Sequence, residues 1–191
     1  MLLGDYFNNI EKKYKKIFFS GISFNSNKIK KNDIFFAIKG NHIDGNNFIS
    51  SANKNGSKII VTEKKIKDIK NGITYINVKN VRKTLAEISF KIFDKKPSNI
   101  IAVTGTNGKS SVADFYYQIL DLNNKKILSI GTLGVKSKRY NKKLSNTTID
   151  PLTLAKILSD LKKQNIDNVI MEASSHGLDQ NRLDGLYFKT A

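Results

Sequence analysis

At 191 residues with no cysteine, the chain is long enough for one ordinary domain or two small ones and holds neither disulfides nor thiolate metal sites. No apolar run is long enough to span a membrane. The N-terminal MLLGDYFNNIEKKYKK carries an acid at Asp5 and lacks an apolar segment after a basic start, so neither a span nor a signal peptide is expected, and a cytoplasmic location fits. The net charge of +17 invites a nucleic-acid partner, but the kind of basic residue argues against one. Only Arg82, Arg139 and Arg182 are arginines, the residue suited to bidentate phosphate and base contacts. The lysines are scattered (Lys12, Lys13, Lys15 and Lys16, then Lys28, Lys30 and Lys31, then Lys64, Lys65 and Lys67, then Lys142 and Lys143), with no interleaved aromatic platform. The lysine, asparagine and isoleucine content matches the coding bias of an AT-rich genome, and the charge reads as a solvated surface.

In chain order, Lys16–Phe24 and Asp33–Ile38 have strand composition, and Asn46–Asn55 reads as a short helix ending at Gly56. Lys58–Thr62 and Thr74–Val78 read as strands. Val81–Phe93 reads as a helix with Leu85, Ile88, Ile92 and Phe93 on one side. The polar stretch Asp94–Asn99 holds Pro97, one of two prolines, and marks a domain boundary between residues 1–96 and 97–191. Beyond it, Ile100–Val103 is an apolar strand, followed by a glycine loop, a helix over Lys109–Leu122 and a strand over Lys126–Ile130. Asp150 and Pro151 form a helix start, a side-chain cap followed by proline at the first helical position; Leu152, Ala155, Leu158 and Leu161 give that helix a buried face. Asn168–Ala173 is a further buried strand, and LYFKTA, ending at Ala191, reads as the start of another. The alternation predicts an α/β fold, with a small N-terminal α/β domain followed by an incomplete P-loop domain on a mostly parallel sheet.

The strongest motif is Ile100-Ile-Ala-Val-Thr-Gly-Thr-Asn-Gly-Lys-Ser-Ser111. A triphosphate requires several backbone N–H groups aimed at one point with a helix N-terminus behind them. Gly105 and Gly108 permit such a path through Thr106 and Asn107; Lys109 can reach the β- and γ-phosphates, Ser110 can bind Mg²⁺, and Ser111 continues into the helix. The general pattern has a further glycine six residues before the lysine, where this chain has Val103, so the loop is a variant. The bland alternative is an ordinary glycine turn between strand and helix.

The loop TGTNGKS resembles that of the Mur ligases and the related folylpolyglutamate synthetases. Asn146-Thr-Thr148, Met171-Glu-Ala-Ser-Ser-His-Gly177 and Gln180-Asn-Arg182 resemble the Mur branch that adds 2,6-diaminopimelate or lysine to UDP-N-acetylmuramoyl-L-alanyl-D-glutamate. Asn25-Ser26, Asp33-Ile-Phe-Phe-Ala-Ile-Lys-Gly40 and Asp44-Gly45 resemble that branch's nucleotide-sugar domain. The resemblance implies that Phe24 and Ser26 sit at the uridine end of the substrate, and that Asn41, His42 and Ile43 line the same pocket. It implies that Asn146, Thr147, Thr148, Ser174, Gln180 and Arg182 hold the sugar-peptide part, that Gly105 to Ser111 hold ATP, and that Glu172 binds Mg²⁺. The partners so implied are UDP-N-acetylmuramoyl-L-alanyl-D-glutamate and a diamino acid, meso-diaminopimelate ahead of lysine. No nucleic acid and no membrane insertion are expected, and the working unit is a monomer. The positive field would favour an anionic nucleotide-sugar.

Each residue also has a plainer reading. Glu172 ends an apolar strand, where active-site groups of open α/β sheets gather and where a carboxylate suits Mg²⁺; the alternative is a strand-end glutamate in solvent. Arg182 offers a guanidinium fork to a carboxylate or phosphate, or forms a surface salt bridge. Thr147 and Thr148 could be a turn before the Asp150 cap. Ser174 and Ser175 resemble a nucleophile-bearing turn, but no acid–histidine pair is placed to activate them, and His176 reads as a structural hydrogen-bonder. The sequence departs from the family at Asn25-Ser26-Asn27, where Asp-Ser-Arg is usual, and at Ile149 after the two threonines. Family members also continue well beyond this length, into the carbamylated lysine, the adenine contacts and the domain that selects the amino acid.

The implied reaction is ligation through an acyl phosphate. The alternatives are a catalytically incomplete module that binds UDP-sugar and ATP, and a folylpolyglutamate synthetase relative, which would lack the nucleotide-sugar domain.

Overall fold

A computed structural model describes residues 1–8, 10–66, 69–70, 72–138, 141–144 and 146–191; Lys67 and Arg139, part of the charge reading above, lie outside the described residues. The chain divides into two compact units, Met1–Ile88 and Ser89–Ala191.

In the first unit, α1 (Leu3–Tyr6) precedes β1 (Ile22–Ser23) and β2 (Ile34–Phe36), and α2 (Ile49–Lys54) leads to β3 (Ile59–Thr62), β4 (Ile69–Lys70) and β5 (Ile73–Asn77). The sheet order is β1-β2-β3-β5-β4, parallel throughout except for β4, which runs antiparallel to β5. Every residue of β2 and β3 is buried, as expected of parallel strands covered on both faces. One face holds Phe35, Ala37, Ile60, Ile73 and Tyr75 against Ile29 and Ala52. The strand expected over Lys16–Phe24 contracts to Ile22–Ser23, because the preceding residues pair with the chain start: the Leu3 amide donates to the Ile17 carbonyl at 2.9 Å and the Phe19 amide to the Met1 carbonyl at 2.9 Å.

Helix α3 (Val81–Ile92) contains the division between the units. Its buried positions include Val81, Leu85, Ala86, Ile88 and Phe90, whereas Ile92 and Phe93, expected on the same side, are only half-buried.

The second unit contains β6 (Asn99–Val103), α4 (Lys109–Leu122), β7 (Ile127–Gly131), β8 (Gly134–Lys136), β9 (Asn141–Lys142), α5 (Pro151–Lys163), β10 (Asn168–Glu172) and α6 (Ser175–Asp179). The order is β6-β10-β7-β8-β9; β10 lies parallel between β6 and β7, and the last two strands extend the sheet antiparallel. Helix α4 packs Ala113 and Tyr117 on Ile127 and Ile170, with Ile101 and Val103 alongside; each fully buried aliphatic or aromatic side chain of this kind contributes roughly 1.5–3 kcal/mol. Helix α5 starts as its sequence requires: the Asp150 carboxylate accepts from the Thr153 amide at 2.9 Å, Pro151 follows, and Leu152, Ala155, Leu158 and Leu161 are buried. Thr190 bridges Ile101 in parallel, so the end of LYFKTA lies along β6 on the side away from β10.

Candidate phosphate-loop site

Inserting β10 between β6 and β7 places the carboxyl ends of three parallel strands side by side, the edge where open α/β sheets bind ligands. Glu172 ends β10 in register with Val103, the last residue of β6, and its neighbour Met171 is in register with Ile130 of β7. Val103, standing where the general loop pattern has glycine, therefore builds the strand, and it packs on the α4 cluster.

The loop turns through Gly105 at φ +140° and Gly108 at φ +79°, backbone conformations that L side chains rarely adopt. Gly108 occupies the cap position of α4 and no side chain caps the helix, which leaves first-turn N–H groups directed at the loop. The Lys109 Nζ donates to the Gly105 carbonyl at 2.6 Å and the Thr106 carbonyl at 3.3 Å, folding the ammonium back over the loop. Thr106, Asn107 and Ser111 are exposed.

Glu172 is buried, with 3% of its surface exposed, which overturns the solvent-facing alternative. Its Oε2 accepts from the Ser110 hydroxyl at 3.0 Å and the Thr132 hydroxyl at 3.0 Å, and its Oε1 accepts from the Thr132 amide at 2.9 Å. Three donors meet one carboxylate, which is how a buried charge is held. One carboxylate beside a serine hydroxyl is a donor set that Mg²⁺ accepts when phosphate oxygens and water complete its octahedron. Among the described residues no group of three or more histidine, aspartate or glutamate side chains is placed to hold a metal.

The residues expected at the sugar-peptide part join the same network. Thr147 Oγ1 lies 3.0 Å from Thr132 Oγ1. The buried Thr148 hydroxyl lies 3.1 Å from the Glu172 carbonyl, 3.1 Å from Ser174 Oγ and 2.9 Å from the Ser174 amide, which donates to it. Ser174 Oγ accepts from the Gly177 amide at 3.1 Å, so this hydroxyl caps α6, a structural task unlike that of a nucleophile. Gly177 is required by space: a Cβ there would lie 2.6 Å from Thr148 Cβ. Arg182 reaches the Thr148 carbonyl through Nη1, and the Gln180 amide oxygen through Nε at 3.2 Å and Nη2 at 2.7 Å. Gln180 Nε2 lies 2.8 Å from His176 Nε2, a hydrogen-bonding role for the histidine. Asn146 is exposed at the start of this segment.

Thr132 escaped the sequence reading. It follows the carboxyl end of β7, beside the strand that ends in Glu172, and that position was its signal. The strand β7 was visible in the sequence, but its neighbour in the sheet was not.

In the first unit the candidates follow the carboxyl ends of paired strands β1 and β2. Phe24 is 39% exposed, and Ser26 is buried, in a turn where the Asn25 carboxamide oxygen accepts from the Asn27 amide at 2.9 Å. Asn25 thus performs the local capping expected of an aspartate there. Asn41, His42 and Ile43 form an exposed tip, Ile43 at 61%, closed by the Gly40 amide donating to the Ile43 carbonyl at 2.8 Å and by a bridge between Lys39 and Asp44.

A glycine loop leading from strand to helix, a lysine over it and a buried strand-end carboxylate bound to the loop serine define the phosphate-loop class of nucleotide-binding proteins. Residues 103–191 match the Mur ligase middle domain, and residues 19–91 match the Mur ligase family catalytic domain. The chain belongs to the Mur ligase family, whose members are ATP-dependent ligases. It is 40% identical over 179 residues to the UDP-N-acetylmuramoyl-L-alanyl-D-glutamate–2,6-diaminopimelate ligase of Rickettsia typhi, covering 92% of this chain and 36% of that protein. It is 43% identical over 185 residues to the enzyme of the same name from Wigglesworthia glossinidia brevipalpis, covering 92% and 37%. A solved structure of a UDP-N-acetylmuramoyl-L-alanyl-D-glutamate–2,6-diaminopimelate ligase superposes with a TM-score of 0.76 at 29% identity, over 93% of this chain and 36% of that one. MurF ligase from Thermotoga maritima, in complex with ADP, gives 0.53 at 25% identity, over 81% and 32%. The chain spans about a third of the length of the curated relatives it matches. No helix among the described residues is long and apolar enough to cross a membrane.

Proposed function

We propose that this chain forms the UDP-sugar-binding and nucleotide-binding part of an ATP-dependent ligase that joins meso-diaminopimelate to UDP-N-acetylmuramoyl-L-alanyl-D-glutamate. Residues 1–96 bind the nucleotide end of the acceptor substrate through Phe24, Ser26, Asn41, His42 and Ile43. Residues 97–191 bind ATP through Gly105 to Ser111 and the sugar-peptide end through Asn146, Thr147, Thr148, Ser174, Gln180 and Arg182. The names of the relatives support diaminopimelate over lysine. The observation that carries the reading is the Ser110–Glu172 contact of 3.0 Å beside a glycine loop whose lysine is already folded over it.

In this reading the loop N–H groups and Lys109 hold the β- and γ-phosphates. Lys109 exchanges two neutral carbonyl partners for phosphate oxygens, a stronger charge-assisted contact. Ser110 and Glu172 would hold Mg²⁺, which when bound would neutralise charge on the transferring phosphoryl group. The side-chain carboxylate of D-glutamate attacks the γ-phosphorus and ADP leaves, giving an acyl phosphate. The diamino acid's amine then attacks the acyl carbon, the C–O bond to phosphate breaks, a proton leaves the nitrogen, and an amide forms. Phosphoryl transfer depends on positioning and charge neutralisation more than on covalent help from the protein, which suits a site built of amides, a lysine and one carboxylate.

We take the working unit as a cytoplasmic monomer, a reading that rests on the family resemblance and on substrates, ATP and a nucleotide sugar, that are cytoplasmic. A surface of scattered lysines with only three arginines supports an anionic small substrate over nucleic acid. In a ligase assay, Lys109→Ala reduces ADP release by about 100-fold or more; turnover at the parental rate overturns the reading. A second reading is binding of UDP-sugar and ATP without ligation, which a metal set of one carboxylate and one hydroxyl among the described residues accommodates. Calorimetric binding of UDP-muramoyl dipeptide without tripeptide synthesis selects it, and tripeptide synthesis removes it.

A further inference from the structure

We propose that Gly131 and Thr132 form a cradle that sets the conformation of the Glu172 side chain, making Thr132 a positioning residue for the Mg²⁺-nucleotide site. The inference rests on the nucleotide reading above.

The proton count fixes the direction of the network. A carboxylate accepts and does not donate, and the Thr132 hydroxyl has one proton. That proton goes to Glu172 Oε2 at 3.0 Å, so in the 3.0 Å contact between the two threonine hydroxyls Thr147 is the donor. The chain runs Thr147 to Thr132 to Glu172. The Thr132 amide pins the other oxygen, Oε1, at 2.9 Å. One residue thus holds both oxygens of a buried carboxylate and fixes its plane.

Gly131 makes room for this. A Cβ at position 131 would lie 2.1 Å from Glu172 Oε1 and 2.5 Å from its Cδ, so any side chain there displaces the carboxylate. The remaining donor, Ser110 Oγ, also meets Oε2. A serine hydroxyl has a lone pair for a cation as well as the proton it gives to Glu172, so Ser110 would couple the carboxylate to the metal without fixing its plane. Thr132 supplies two of the three described contacts, and of the described donors it alone meets both carboxylate oxygens. Partners that orient a metal-binding group in this way typically affect metal affinity by about 10- to 100-fold.

The test is equilibrium binding of a non-hydrolysable ATP analogue to the full chain, with and without Mg²⁺, by calorimetry. In the parent, Mg²⁺ tightens binding. Thr132→Val, which keeps the shape and removes the hydroxyl, and Gly131→Ala, which moves the carboxylate, lose about 10- to 100-fold of that gain while Mg²⁺-free affinity stays at the parental value. Thr132→Ser retains the gain. A Thr132→Val variant with the full Mg²⁺ gain overturns the proposal and leaves the nucleotide reading intact. A fall in Mg²⁺-free affinity as large as the fall in the gain overturns it as well, since that marks general damage. No Mg²⁺ gain in the parent overturns the nucleotide reading and this proposal together.

Discussion

The two groups of candidate residues are held in opposite ways. At the carboxyl edge of the second sheet, Ser110, Thr132, Thr147, Thr148, Glu172, Ser174 and Arg182 form one hydrogen-bonded network with a buried carboxylate inside it. At the carboxyl edge of the first sheet, Asn41, His42 and Ile43 stand out from a short backbone turn, exposed. The difference teaches where each region stores its specificity. In the phosphate-loop region the candidate side chains are hydrogen-bonded to one another and to the backbone, which ties their positions to the stability of the fold. The exposed turn fixes only its backbone, and its side chains can change without cost to the fold. Substitutions that separate stability from binding therefore break or sharpen the comparison.

The largest effect on stability is expected from Thr148→Val. It removes a buried hydroxyl that engages the Glu172 carbonyl, Ser174 Oγ and the Ser174 amide, leaving the amide donor without its partner. A loss of about 1–3 kcal/mol in urea unfolding is expected, together with a higher KM for the UDP-muramoyl substrate. Unchanged stability would mean that the network follows the fold and does not support it.

Much of this arrangement was legible in the sequence. The loop, the α4 span Lys109–Leu122 and the Asp150–Pro151 start of α5 are local signals, each written within a few residues, and the structure reproduces them. Glu172 was readable as the end of an apolar strand. Its burial was not, because that depends on β10 lying between β6 and β7, a long-range pairing that no local pattern encodes. Thr132 was missed for the same reason. The strands β4, β8 and β9 were missed because two or three residues are too few to display an alternation. Phe18 and its neighbours misled in the opposite sense, having strand composition but pairing with the chain start.

A smaller, pH-confined effect belongs to Asp44, which anchors the exposed turn. Its carboxylate accepts from the Asn46 side chain at 2.7 Å and the Asn46 amide at 2.8 Å, with Lys64 at 3.3 Å. The Asn46 side-chain contact, then the Asn46 amide, then Lys64 hold its pKa below the usual carboxylate value of 3.8. A folded-state pKa below the unfolded one contributes stability above the unfolded value and loses it as pH falls through the folded one. Asp44→Asn should therefore flatten the dependence of stability on pH below about 4, with little change near neutrality. An acid-unfolding profile identical to the parent's would show that the anchor does not depend on charge.

The smallest effect on stability is expected from His42→Ala, and it is the sharpest test of the contrast. His42 is exposed on a turn whose closure uses backbone groups: the Gly40 amide with the Ile43 carbonyl, and the Lys39–Asp44 bridge. Removing the imidazole leaves those contacts in place, so unfolding free energy should stay within about 0.5 kcal/mol of the parent. If His42 lines the uridine pocket, the KM for the UDP-linked substrate rises by roughly threefold to tenfold, the worth of one hydrogen bond or stacking contact, while the KM for ATP and kcat hold. The split matters more than the size. A fall in stability would make the turn a structural element like Thr148 and erase the distinction between the two regions. A parental KM with parental stability would remove His42 from the site and leave uridine recognition to Phe24, Ser26, Asn41 and Ile43.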